Sequence, residues 1–223
     1  MPRGRSRLRL LAEIAGPLEG TRGWSLRRED FASLENVLPR LTDRRVVPVV
    51  GEGAATSTAA IALASAASAS GRRTVLVECD LAQPRLADQV GLAAAPGLHE
   101  YLRWEAEPAD VLQPVALAGS AAAGAVDPLV CICGGRPARK AETLLGLQSF
   151  AHMIGKLRAA YELVLLIAPA AGEYGPCRVA AEQGEAALAA LPRAMAGGRA
   201  GRDVRAAIRR LPIPALGTIA VGP

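Results

Sequence analysis

Aromatic residues make up only 3% of this 223-residue chain. Base-stacking platforms interleave such rings with cations, so their scarcity argues against a nucleic-acid partner. Lysine is scarcer still: Lys140 and Lys156 are the only two, and the remaining cationic side chains are arginine. His99 and His152 are the only histidines, and neither has a ligand partner nearby in sequence, so both read as structural. Cys79, Cys131, Cys133 and Cys177 lack the paired spacing of a zinc site and read as reduced, buried thiols of a cytoplasmic protein. Long apolar runs are missing as well. The charge-free stretch Gly53–Ser70 is Ala/Ser-rich and too short to span a bilayer. Leu8–Gly16 is broken by Arg9 and Glu13 and offers no signal-peptide core.

What is present describes a folded, helix-rich protein: apolar residues supply 51% of the chain, charged residues 21%, and alanine about a fifth. The length suits one domain. A net charge of +5 is compatible with an acidic partner, a membrane surface or nucleic acid, and selects none of them. Arg3, Arg5, Arg7 and Arg9 concentrate part of it in a basic tail, which reads first as a solvated segment and second as a contact for an anionic membrane surface or another polyanion. Residues 1–25 therefore read as tail and linker, and residues 26–223 as the domain.

Within the domain, Phe31, Leu34, Val37, Leu38 and Leu41 recur at helical spacing and predict a docking helix over Leu26–Leu41. From Val46 the pattern becomes short apolar runs, Val46–Val50, Thr74–Cys79, Leu129–Cys133, Leu163–Ala168 and Leu216–Val221. Uniformly apolar strands are expected where both sheet faces are covered. Helical segments at Thr56–Ser70, Gly97–Trp104, Pro108–Leu112, Thr143–Tyr161 and Arg202–Leu211 alternate with them. The fold class is therefore α/β, a doubly wound, mostly parallel sheet. Ala186–Leu191 stands where another strand belongs, but its Ala/Leu composition forms strands poorly and leaves the assignment open.

The first strand runs into Gly51-Glu52-Gly53-Ala54-Ala55-Thr56-Ser57 and then a helix, an arrangement whose backbone N–H groups cradle an anion. Two chemistries use it. In a dinucleotide site, Gly51 and Gly53 would approach the pyrophosphate and Glu78 would accept the ribose hydroxyls. In a phosphate loop, the positions after Gly53 would hold a lysine and a magnesium-binding hydroxyl, and Ala54 and Ala55 stand there instead.

The surrounding sequence favours the second arrangement. Val50 to Ala62, Thr74-Val75-Leu76-Val77-Glu78-Cys79-Asp80-Leu81-Ala82-Gln83-Pro84, Val90-Gly91-Leu92, Pro96-Gly97-Leu98 and Ala109 to Pro114 follow one another at set spacings. Cys131 to Gly135, Ala141 to Leu145 and Tyr161 to Pro169 continue the series. Together they resemble the bacterial tyrosine kinases of exopolysaccharide synthesis, the CpsD/CapB group related to partition-type P-loop ATPases. The resemblance covers roughly Glu29 to Val221 and implies a P-loop NTPase-like domain that binds ATP with magnesium. It also implies homo-oligomers and a partner in the cytoplasmic part of a membrane polysaccharide co-polymerase, placing the chain in the cytoplasm or at the inner face of the membrane.

The departures from that group fall on charged positions. Ala54 replaces the phosphate-reaching lysine and Ala55 the magnesium hydroxyl. Glu78 and Asp80 keep carboxylates in the second motif and remain candidate metal ligands, whereas Ile167 replaces the carboxylate of the third. Glu29 keeps the acid of an oligomerisation element whose arginine is Ala32, and Tyr101, Tyr161 and Tyr174 are isolated, with no tyrosine-rich tail. Phosphoryl transfer rests on positioning and charge neutralisation. The expectation is a degenerate, non-catalytic relative. An active autokinase with an unorthodox site is the alternative, and a dinucleotide-binding protein a further one.

Overall fold

The computed structural model describes residues 8–16, 26–115, 129–196 and 198–222. The tail arginines Arg3, Arg5 and Arg7 and Trp24 lie outside them. In chain order the elements are β1 (Leu10–Ile14), α1 (Arg28–Glu35), β2 (Val46–Gly51), α2 (Ala54–Ala69), β3 (Thr74–Glu78) and α3 (Leu86–Val90). Next come α4 (Leu98–Leu102), α5 (Pro108–Val111), β4 (Gln113–Val115), β5 (Leu129–Ile132), α6 (Ala141–Leu145) and α7 (Gln148–Ala160). The chain finishes with β6 (Leu163–Ile167), α8 (Tyr174–Ala181), β7 (Ala187–Pro192), α9 (Arg199–Arg210) and β8 (Ala215–Val221).

One eight-stranded sheet has the order β1-β8-β7-β2-β6-β3-β5-β4. All of its pairings are parallel except β4 with β5. Every residue of β2, β3 and β6 is buried, as strands covered on both faces require. Alternate side chains divide between two layers. Val47, Val49, Leu76 and Leu165 meet α2, with α1 behind β1, on one face. Val46, Val75, Val77, Val164 and Leu166 pack against Phe150, Ile154 and Leu157 of α7 on the other. There, α8 and α9 also cover Val50, Ala187, Ala189 and Leu191.

Three expectations change and one open assignment is decided. Leu10–Ile14 is a strand of the sheet, so the tail-and-linker reading of residues 1–25 fails there. Parallel pairing with β8 and burial of Ala12 and Ile14 outweigh the polar interruptions that hid it. The docking helix divides into α1 and a 3-10 turn at Leu38–Leu41, where Pro39 lacks the N–H that a continuing helix needs. Thr143–Tyr161 divides into α6 and α7, separated at Gly146-Leu147. Ala187–Pro192 is a strand: it lies between β2 and β8, where a paired position decides the matter against propensity.

Candidate functional site

The glycine loop sits at the carboxyl end of β2, near the middle of the sheet, the usual ligand position in open α/β sheets. Its geometry follows from two glycines. A Cβ on Gly51 would collide with the Ala190 carbonyl of β7, so only glycine fits. Gly53 caps α2 with φ +55°, in the left-handed region that glycine enters without strain. The loop is tied down from the β6–α8 connection: Ala171 N donates to Gly51 O at 2.9 Å, and Gly172 N to Glu52 Oε1 at 2.9 Å.

Ala54, at the lysine position, is exposed, and Ala55 is buried. Of the two hydroxyls that follow, one is spent within the helix and the other is buried without a partner. Ser57 Oγ donates to Ala54 O at 3.1 Å, within its own helix. Thr56 is 3% exposed and its Oγ1 has no hydrogen-bond partner. It lies beneath the loop beside Gly51.

Glu78, expected as a metal ligand, serves the fold. Its Oε1 accepts Arg85 N at 2.6 Å and Leu86 N at 2.9 Å, and its Oε2 accepts Gly134 N at 2.8 Å. One buried carboxylate thus joins β3, the start of α3 and the turn after β5. Burial pushes its pKa above the ordinary carboxylate value, against the three N–H groups that favour the ionised form. Asp80 Oδ1 accepts Gln83 N at 3.1 Å, closing the turn after β3, and burial raises its pKa too. Ile167 stands in register opposite Glu78 and is 2% exposed.

These residues surround a cavity of about 10 Å³, lined by Gly53, Thr56, Glu78, Asp80, Arg85 and Ile167 among others. That is the room of about one water molecule. Arg85 is the cation of the lining, and its Nη2 donates to Gln83 Oε1 at 3.0 Å. The structure brings Gly53, Thr56, Ser57, Glu78 and Asp80 around one cavity, with both oxygens of Glu78 bonded to backbone N–H groups.

His99 Nδ1 lies 2.6 Å from Arg136 O, a structural contact. The four cysteines are buried; burial pushes the Cys133 and Cys177 thiols up to about 12, and Cys79 and Cys131 higher still. Among the described residues no three His, Cys, Asp or Glu side chains gather as a metal site. A second buried acid escaped the sequence reading. Glu100 accepts Gly97 N at 2.8 Å, Arg136 N at 3.1 Å and Arg136 Nε at 2.8 Å, latching α4 to the turn after β5. Its position three residues after the helix-capping Gly97 was the available signal.

Comparison with solved structures places this architecture. The chimerical protein CapA2B2 superposes with a TM-score of 0.79 over 96% of this chain and 94% of its own, at 15% identity. The kinase domain of the Escherichia coli tyrosine kinase ETK does so with a TM-score of 0.78, over 96% of this chain and 90% of its own, at 16% identity. The chain has the fold of bacterial tyrosine kinase domains. MinD from Pyrococcus horikoshii, a septum-site-determining protein complexed with Mg-ADP, shares the P-loop core more loosely: TM-score 0.60 over 79% of this chain and 69% of its own, at 20% identity. No family profile matches the chain, and no curated protein matches it.

Within the tyrosine kinase fold, the residues at the loop do not fit a nucleotide with magnesium. Ala54 offers no charge to a phosphate, Ala55 no hydroxyl to a cation, and Ile167 no carboxylate. Glu78 keeps its carboxylate but commits both oxygens to backbone donors.

Proposed function

We propose that this chain is a non-catalytic relative of the bacterial tyrosine kinases, a regulatory or scaffolding component of exopolysaccharide synthesis or export. The observation that carries the reading is Glu78. Its carboxylate, which the family resemblance assigns to chemistry, is held by three backbone N–H groups in a site that also lacks the lysine, the magnesium hydroxyl and the third-motif carboxylate. Charge neutralisation is the main work of a phosphoryl-transfer site, and these substitutions remove its instruments. The fold is retained, as an interaction module needs. The partner we propose is the cytoplasmic part of a membrane polysaccharide co-polymerase, with the chain held at the inner face of the membrane. No described helix is long and apolar enough to cross one.

The alternative, an active autokinase with a substitute cation, draws its support from Arg85, which lines the loop cavity. Calorimetric titration of ATP and ADP with magnesium into the purified chain separates the two. The expected result is no micromolar binding by the native chain, with or without recovery in Ala54→Lys/Ala55→Ser. Micromolar binding by the native chain, abolished by Arg85→Ala, overturns the non-catalytic reading.

A further inference from the structure

A cavity of about 580 Å³ opens at the amino ends of the central strands, at the other end of the sheet from the glycine loop. Arg45 precedes β2, Glu162 precedes β6 and Arg72 lies just before β3, and these three strands are side by side. Glu35, Leu38 and Pro39 add a wall from the end of α1 and the 3-10 turn. The space lies between two interruptions: Pro39, which ends the helical run after α1, and Gly71, whose φ of +84° turns the chain away from α2. Its volume is that of a small-molecule site.

Two guanidinium groups share the lining, and both are held by backbone carbonyls. Arg72 is half-buried; its Nη2 donates to Leu41 O at 3.3 Å and to Glu162 O at 3.1 Å, which joins the 3-10 turn to the entry of β6. Arg45 Nη1 donates to Arg158 O at 3.4 Å. The neighbouring acids are engaged by other groups. Glu162 Oε2 accepts Arg73 N at 2.9 Å and lies 4.0 Å from Arg73 Nε. Glu185 pairs with Arg158 at 3.0 Å and accepts Arg45 N, not its side chain, at 2.9 Å. Glu162 attracts the Arg72 charge, yet burial outweighs it and pulls the guanidinium below its ordinary value. A partly desolvated cation oriented by two backbone acceptors is preorganised for an anion.

We propose that this cavity binds a phosphorylated polyol of the size of a sugar phosphate, with Arg45 and Arg72 taking the phosphate and Glu35 accepting from the hydroxyl groups. One guanidinium fork fills a carboxylate, whereas a phosphate brings three terminal oxygens and nearly two charges to be shared between two. Leu38 and Pro39 offer an apolar wall to the carbon skeleton. No aromatic side chain lines the cavity to stack a base, which favours a sugar phosphate over a nucleotide. The inference does not depend on whether the glycine loop binds nucleotide, because none of its residues lines this cavity.

The test is calorimetric titration of glucose 6-phosphate, inorganic phosphate and glucose into the purified chain. Glucose 6-phosphate is expected to bind, inorganic phosphate to bind more weakly and glucose not at all, and the first should raise the thermal midpoint. Arg45→Gln should weaken both phosphates about tenfold or more, the worth of a hydrogen bond to a charged group. Its unliganded thermal midpoint should match the parent's, since the backbone bond to Glu185 remains. Arg72→Lys keeps the charge but loses the planar fork and should weaken both as well. Glu35→Ala should weaken glucose 6-phosphate about fivefold and leave inorganic phosphate no weaker. Arg85→Ala, at the glycine loop, should change neither affinity. Failure of the native chain to bind either phosphate overturns the proposal. So does undiminished affinity in Arg45→Gln, or affinity lost in Arg85→Ala, which would put the phosphate at the glycine loop instead.

Discussion

At Glu78 a single side chain answers for three strands of argument: the site, the fold and the response to pH. Replacing it with alanine leaves the N–H groups of Arg85, Leu86 and Gly134 buried without acceptors, and each such loss costs about 1–3 kcal/mol. Glu78→Gln keeps the shape but turns one acceptor into a donor that faces another donor, so it should still cost about 1–2 kcal/mol. Urea unfolding of the two variants checks this; a Gln variant as stable as the parent would show that the three bonds are not what holds the turn. Glu100 makes the opposite case in its titration. Burial alone would raise its pKa, but the Arg136 side chain and the backbone N–H groups of Gly97 and Arg136 outweigh that and lower it below the ordinary 4.5. A lowered carboxyl contributes stability above its unfolded value, and that stability is lost as pH falls through the folded one. Glu100→Gln should therefore lower the thermal midpoint at neutral pH and flatten its decline in acid. Parallel acid limbs in parent and variant would rule Glu100 out as a source of that decline. Glu78 and Asp80, both raised, act in the reverse sense: the folded state holds their protons longer, so their part of the stability falls as pH rises from the ordinary carboxylate range to the raised values.

Helix α2 transmits the loop's geometry to the sheet, and it does so with almost no side chain. Ala59, Ala60, Ile61, Ala62, Leu63, Ala64, Ala66 and Ala67 are all fully buried, so the helix lies close against the strands. Ala60→Leu should cost about 1–3 kcal/mol by overpacking, read as a lower urea midpoint; an unchanged midpoint would mean that the layer has slack which these burial values do not suggest. The same helix illustrates what was legible beforehand. Thr56–Ser70 was recognisable from composition, and the central strands β2, β3 and β6 from uniformly apolar runs, because burial on both faces writes itself into every position. The edges wrote less. β1 carries Glu13 in a mixed pattern, β4 is three residues with Pro114 inside, and the alanine-rich β7 owes its strand conformation to neighbours that sequence does not reveal. In the candidate site, the composition of the loop and its missing lysine were plain from sequence. The direction of the Glu78 carboxylate was not, since it depends on where Arg85, Leu86 and Gly134 fall in space.

On the scale of the whole molecule, the first described strand forms one edge of the sheet beside the last one, so residues far apart in sequence meet there. β1 pairs with β8 from Leu10↔Thr218 to Ile14↔Val221 and seats α1 through Asp30 Oδ1, which accepts Ala15 N at 2.8 Å, and Ser33 Oγ, which accepts Glu13 N at 3.2 Å. Deleting residues 1–16 removes those bonds, uncovers the hydrophobic contacts of Ala12 and Ile14, and leaves Asp30 buried without its N–H donor. The summed loss should be about 3–5 kcal/mol, a large share of the stability of an ordinary domain. Deleting residues 1–7 leaves the Leu10–Ile14 pairing with β8 in the chain and should change stability by about 0.5 kcal/mol or less. The longer deletion also moves the sheet's open edge from the five-residue β1 to the seven-residue, largely buried β8, and a longer apolar edge recruits other chains more readily. Size-exclusion chromatography of that protein should show self-association that the shorter deletion lacks. Equal urea midpoints for the two deletions would mean that β1 is an accessory to the sheet rather than part of its stability, and α1 would then need another anchor than the strand beneath it.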